Sequence, residues 1–370
     1  MTVETGRGPA GADAERAHSD SLGINAWLVE EMYQAYRSNP LSVGDTWRDF
    51  FAEYRGRIPP DVPAGPGRES SGGVGGATID TTLLATSAPA APAPPAVGSG
   101  PGRRSSPPSG APPHEDPVTL LRGARGRIAE NMVASLAVPT ATSVRPIPAQ
   151  VLEANRSLLN KMLREAAGPK VSFTHLIGWA VVRAVGAVPA LNASYVEDAD
   201  GMGTPGVVRR PHVGLGLAVD LERPDGSRTL VVPVIKDADT LDFAGFVDAY
   251  EELVGRARAG KLVVEDFAGG TVTITNPGTL GTTQSMPRLM RGQGAIVGIG
   301  ALDYPVEFQT SPPETLRALG IGKIVTLTST YDHRIIQGAE SGLFLKRVRE
   351  LLVGEHDFYD EVFSSLGVAG

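Results

Sequence analysis

Ile324-Val-Thr-Leu-Thr-Ser-Thr-Tyr331-Asp332-His333-Arg334-Ile335-Ile336-Gln337-Gly338-Ala339 is the stretch from which the rest of the chain can be read. It is a strand running into a histidine turn and then an amphipathic helix. A histidine at a strand end, with glycine and a helix start just beyond, is held by a rigid scaffold while its imidazole can face a cleft. His333 therefore reads as a catalytic base.

Outward from this block, composition sets the bounds. The 370 residues could hold two domains, but 45 glycines and 30 prolines are too unevenly spread for a uniformly globular chain. No cysteine is present, which excludes disulfides, thiolate nucleophiles and cysteine metal sites. The longest apolar runs, such as Leu176 to Val188, are interrupted and too short to span a bilayer. The start, Met1-Thr-Val-Glu-Thr-Gly, has neither a basic nor an apolar region, so no secretory signal is expected and a cytoplasmic location is.

A formal charge of -7 argues against a general nucleic-acid binder, which carries a basic patch. Only six basic residues are lysines, and the first is Lys161. Nothing before it offers an amine for lipoate, biotin or pyridoxal phosphate, so a swinging arm has to be supplied in trans. The histidines at 18, 114, 175, 212, 333 and 356 show no ligand spacing, and no metal is expected.

Three parts follow. Residues 1–55 contain aromatics at helical spacing, Trp27, Met32 and Tyr36, then Trp47, Phe50, Phe51 and Tyr54. Asn39-Pro40 breaks the first helix and Asp45 can cap the second. Such a short hairpin is marginal alone, so its apolar stripe needs a partner. Residues 56–117 carry 14 prolines and almost no large apolar side chains. That composition cannot offset the entropy of ordering and reads as a linker averaging roughly 45 Å end to end, tethering the hairpin without fixing it. Residues 118–370 read as one α/β domain. Helices are expected over Val151 to Ala167, His175 to Val188, Leu241 to Ala257 and Ala339 to Leu352, with strands at His212 to Asp220 and Thr271 to Asn276. The second strand should put Val272 and Ile274 inward and its three threonines outward. A mixed sheet with helices on one side is expected.

Asp332, His333, Arg334, Gly338 and Ala339 resemble the active-site signature D-H-R-x-x-D-G-A of the dihydrolipoamide acyltransferases, core subunits of 2-oxo acid dehydrogenase complexes. Gln337 stands where that signature has aspartate. The resemblance extends through Leu121-Arg-Gly-Ala-Arg-Gly-Arg-Ile-Ala-Glu-Asn-Met132, Val213 to Asp220 with Val231 to Ala238, Arg256 to Leu262, and Gly269-Gly-Thr-Val-Thr-Ile-Thr-Asn276. It implies a chloramphenicol acetyltransferase-like acyltransferase fold, assembled as a homotrimer or a multiple of it, with active sites between subunits. A second departure is Pro287-Arg-Leu-Met-Arg-Gly-Gln-Gly294, where the family usually has an asparagine-proline-proline turn. Trp27 to Arg37 and Pro40 to Phe51 resemble the N-terminal docking peptide of 2-oxoglutarate dehydrogenase decarboxylases. The combination resembles the N-terminal part of actinobacterial multifunctional 2-oxoglutarate dehydrogenases.

On this resemblance the expected activity is succinyl transfer between a dihydrolipoyl group and coenzyme A, with a lipoyl-domain protein, a dihydrolipoamide dehydrogenase and a decarboxylase as partners. Acyl transfer between thiols needs a base and an oxyanion donor. His333 matches the first and Thr275, the hydroxyl residue of the family's F-T-I-[ST]-N motif, the second. Gln337 can accept a hydrogen bond but supplies no charge. Arg122, Arg125 and Arg127 are the candidates for coenzyme A phosphates, since guanidinium forks suit phosphate. Thiamin diphosphate and Mg would belong only to a decarboxylase domain following this one, because no G-D-G thiamin motif occurs here. The competing expectation is an acyltransferase-like trimeric scaffold that organises the decarboxylase and transfers nothing. Gly6 to Gly11 and Gly255 to Lys261 imitate nucleotide-binding loops, but the first lacks a preceding strand and the second ends a helix.

Overall fold

β-Branched and apolar segments of the C-terminal part pair into one mixed sheet in a computed structural model, which describes residues 26–54, 118, 120–121, 124–222, 226 and 228–368. Strands β1 (Thr140–Pro148), β4 (Leu215–Glu222), β5 (Arg228–Val231), β6 (Val234–Ile235), β7 (Val272–Thr275), β8 (Ala295–Asp303) and β9 (Ile324–Asp332) form it in the order β1-β9-β8-β7-β4-β5, with β6 also on β4. Only β4–β7 and β7–β8 are parallel. β2 (Ala193–Val196) and β3 (Gly206–Arg209) make a separate antiparallel ribbon. The mixed α/β architecture is as the sequence indicated.

The four expected helices occur as α4 (Gln150–Glu165), α5 (Phe173–Ala187), α6 (Phe243–Arg258) and α8 (Gly338–Leu352). Before them lie α1 (Ala26–Ser38), α2 (Asp45–Tyr54) and α3 (Ala124–Ser135), and α7 (Pro313–Ala318) and α9 (Phe358–Ser365) complete the described set. α5 begins with a reciprocal cap: the Ser172 Oγ accepts from the His175 amide at 3.1 Å, and His175 Nδ1 accepts from the Ser172 amide at 3.3 Å. This helix is apolar nearly all round and lies buried on the sheet. Gly178 lets it approach closely, since a Cβ there would stand 3.2 Å from Phe246 and 3.3 Å from Ile274. Trp179 packs between Phe243 and Phe246 at ring separations of 6.1 and 5.4 Å. α8 adds the stripe Ser341, Phe344, Leu345, Val348 and Leu352.

One expectation fails. Val272 and Ile274 face inward as read, but Thr271 and Thr273 are buried as well, at 8% and 3% exposure. The segment after β7 returns over that face. Thr273 Oγ1 donates to Gln293 Oε1 at 3.0 Å, and Thr328 Oγ1 to the Ser285 carbonyl at 2.8 Å. Period-two alternation predicts two different faces, not which of them a later loop will cover.

By packing, the chain divides into residues 1–55 with 121–370, and residues 56–120. The linker expected over 56–117 lies outside the described residues. The hairpin of α1 and α2 does find a partner within its own unit: Trp47 is buried and its indole N–H donates to the Leu262 carbonyl at 3.1 Å. Phe51 is fully buried against Trp47 and Tyr36. A buried indole needs an acceptor, and here the C-terminal α/β part supplies it. The expectation that the hairpin is tethered without being fixed is corrected by this contact. Among the described residues no helix is long and apolar enough to cross a membrane.

Candidate active site

β9 carries the site because its two edges are held by different strands. It pairs with β1 over Thr140 to Pro148 and with β8 on the other side, and both ladders run antiparallel. His333 follows the last paired residue, and its backbone N–H donates to the Pro139 carbonyl at 2.9 Å. The turn is thus fixed from both flanks while the His333 side chain remains exposed.

Strand alternation then separates functions. Tyr331 and His333 share the helix-facing side, with ring centroids 5.5 Å apart. Asp332 and Arg334 take the other side. Asp332 is 2% exposed, and Arg334 clamps it from Nε to Oδ1 at 2.9 Å and from Nη2 to Oδ2 at 2.5 Å. The Arg334 amide also donates to Asp332 Oδ1 at 3.1 Å. A bidentate fork of this kind fixes geometry as well as charge. The Asp332 carboxylate raises the Arg334 pKa, keeping the guanidinium cationic. Arg334 lies over the Tyr195 ring at 3.7 Å, a cation–π contact that reading the sequence missed. The period-two spacing of Asp332 and Arg334 signalled their shared face, whereas nothing local signalled Tyr195.

Gln337 is the N-cap of α8. Its backbone N–H donates to Glu340 Oε2 at 2.7 Å, so the helix start is braced by a glutamate three residues on. That partner was not read from the sequence, although the spacing of a capping box was present in it.

Thr275 does not join His333 within the chain. Thr275 pairs with Gly298, and Gly298 with Thr328, whereas Val272, Ala295 and Tyr331 align at the other end. Five residues of β9 and its turn separate the Thr328 level from His333, about 15 Å along the strand direction. Thr275 also projects to the face opposite Ile274, and thus opposite the Tyr331 and His333 side. Its neighbour Asn276 donates to Thr174 Oγ1 at 2.8 Å, which ties the exit of β7 to the start of α5.

Of the arginines expected to meet phosphates, Arg122 lies outside the described residues. Arg125 and Arg127 fall on α3, but their side chains are outside the description too. One acidic group, Glu350 and Glu355 with His356, gathers within 4.8 Å although its histidine showed no ligand spacing in sequence. Lys346, Arg347 and Arg349 pair with its carboxylates, which explains it as a surface ion-pair cluster.

The sequence and fold are similar to those of known proteins. Residues 113–357 match the family of 2-oxoacid dehydrogenases acyltransferase (catalytic domain), and residues 22–57 match the 2-oxoglutarate dehydrogenase N-terminus. A multifunctional 2-oxoglutarate metabolism enzyme from Mycolicibacterium vanbaalenii is 46% identical over 94% of this chain and 29% of its own length. The chain therefore spans under a third of that relative. The structure of a probable dihydrolipoamide acetyltransferase from Listeria monocytogenes aligns at a TM-score of 0.53 with 27% identity, covering 64% of this chain and 94% of that one. The Azotobacter vinelandii dihydrolipoamide acetyltransferase aligns at 0.52 with 27% identity, over 68% and 93% of the two chains. That enzyme was studied for the catalytic role of a serine, a histidine and an asparagine, the last two four residues apart, as His333 and Gln337 are here. From the family match over most of its length and the shared fold, the chain belongs to the 2-oxoacid dehydrogenase acyltransferase (catalytic domain) family.

Proposed function

We propose that this chain transfers a succinyl group between a dihydrolipoyl thiol and coenzyme A within a 2-oxoglutarate dehydrogenase system. The observation that carries it is the presentation of His333: a side chain left exposed on a turn anchored by Pro139 and braced by the clamp of Arg334 on the buried Asp332. Acyl transfer needs such a base near neutrality. The imidazole takes the proton from the attacking thiol, and the thiolate adds to the thioester carbonyl. A tetrahedral oxyanion forms. Its collapse breaks the bond to the departing sulfur, and the imidazolium returns the proton to it.

The oxyanion donor in this reading is the Thr275 hydroxyl of a second copy, because the two residues lie at opposite ends of one sheet. A trimer, or a multiple of it, brings the His333 end of one copy to the Thr275 end of the next. The succinyl specificity is supported by the N-terminal match to 2-oxoglutarate dehydrogenases and by the multifunctional 2-oxoglutarate relatives. The lipoyl group comes in trans, and a lipoyl-domain protein, a dihydrolipoamide dehydrogenase and a decarboxylase are the partners.

The test is direct. Purified chain, succinyl-CoA and a reduced lipoyl domain should give succinyl-lipoyl product, and His333→Ala should lower the rate by about two to four orders of magnitude. Unchanged turnover in that variant would remove His333 as the base. Gln337 favours a second reading, a scaffold that orders a decarboxylase without transferring acyl groups, because it puts an uncharged amide where the signature has a carboxylate. No transfer by the wild-type chain would select it.

A further inference from the structure

A cleft of about 580 Å³ opens on the side of the sheet away from His333, between the β2–β3 ribbon and the turns that lead into β7 and β8. That volume falls in the range of small-molecule sites, about 300–1,000 Å³. Its charged lining is Arg210, Arg291, Arg334 and a single carboxylate, Glu197. The arginines reach it from three places far apart in sequence: the end of β3, the turn before β8 and the exit of β9.

Their charges are unequally spent. Arg334 is held by Asp332 beneath it. Arg291 and Glu197 approach only to 3.7 Å, and both are largely exposed, at 65% and 82%. A contact of that kind is strongly screened and contributes little. Arg210 has no carboxylate within ion-pair distance among the described residues. Gly269, Gly270 and Gly292 also line the cleft, and their amides make no hydrogen bond to a described acceptor. The ring of Tyr195, the one aromatic in the lining, is already covered by Arg334 at 3.7 Å. Stacking of a ligand base on that face is therefore blocked. What the cleft offers is a surplus of positive charge and of N–H donors.

We propose that this cleft is an anion site that binds a small molecule through a phosphate or pyrophosphate group, apart from the thiol chemistry at His333. The two guanidinium forks of Arg210 and Arg291 together with backbone amides match the many acceptor oxygens of a phosphate better than the two of a carboxylate. The site stands independently of the succinyl-transfer reading, since it uses neither His333 nor Thr275.

Calorimetric titration of the full chain with inorganic pyrophosphate tests it. The wild type should show saturable binding at one site per chain. Arg210→Ala combined with Arg291→Ala should weaken it at least tenfold while the thermal unfolding midpoint stays put, since both side chains are at the surface. His333→Ala should bind pyrophosphate as the wild type does. Equal binding in the double arginine variant, absence of binding by the wild type at millimolar pyrophosphate, or loss of binding in His333→Ala would each overturn the assignment. Succinate saturating the same site as tightly as pyrophosphate would overturn the ligand class.

Discussion

Thr275 and His333 stand at opposite ends of the same sheet and on opposite faces of it. The register that aligns Thr275 with Gly298 and Thr328 leaves His333 five residues further on, just past the end of β9. A general base and an oxyanion donor must both reach one reacting carbonyl, within about 3 Å of it. Within one copy the two side chains are too far apart for that, so the proposed reaction requires a second copy.

Mixed oligomers check this. Thr275→Ala should raise the barrier by roughly 3 kcal/mol, as loss of an oxyanion donor does, and His333→Ala should be slower still. Oligomers assembled from both variants together contain some interfaces with both native groups. Their succinyl transfer should exceed the sum of the separate variants. A rate no greater than that sum would contradict the shared site.

Gln337→Asp has two expected effects with separable readouts. At the N-cap of α8 the shorter carboxylate accepts from the first helical amides better than glutamine does, and its charge suits the helix N-terminus. Unfolding in urea should show a gain of about 1 kcal/mol. Transfer activity should be retained or raised. Two inactive proteins, wild type and variant, would favour the scaffold reading over the enzyme.

Trp47→Phe keeps the aromatic packing against Phe51 but removes the donor to Leu262. Leaving that carbonyl without its partner should cost about 1–2 kcal/mol in the unfolding of the whole unit. An unchanged urea midpoint would mean that the hairpin adds nothing to domain stability, and would return its apolar stripe to partners elsewhere.

His175 supplies a pH dependence. Burial lowers its pKa from 6.5, outweighing the opposing effect of Glu251, whose Oε1 lies 3.0 Å from Nε2. The folded form thus holds the imidazole neutral where the unfolded chain would protonate it. Its contribution to stability is complete above about pH 6.5 and is lost as the pH falls from there toward the lower folded value. His175→Asn retains a side-chain acceptor for the Ser172 amide without the titration. Denaturant unfolding between pH 7.5 and 5 should lose part of its slope in that variant, and an identical slope would show that other groups set it.

By itself the sequence determined the elements whose signals are local. The repeated apolar spacing that became α4, α5, α6 and α8, the strand-turn-helix around His333 and the breaker at Asn39-Pro40 all depend on neighbours within a few residues, and all were legible. Motif order was legible too, and with it the family. Tertiary structure alone decided what lies over each surface. Thr273 reads as a solvent-facing strand residue, yet the chain twenty positions later covers it through Gln293. Trp47 finds its acceptor at Leu262, 215 residues away. Arg334 meets Tyr195, and Arg210 comes to share a cleft with Arg291. Period and propensity report the direction a side chain takes from its own backbone. What it meets there is set by sheet order and register, which place Thr275 and His333 at opposite ends of the sheet.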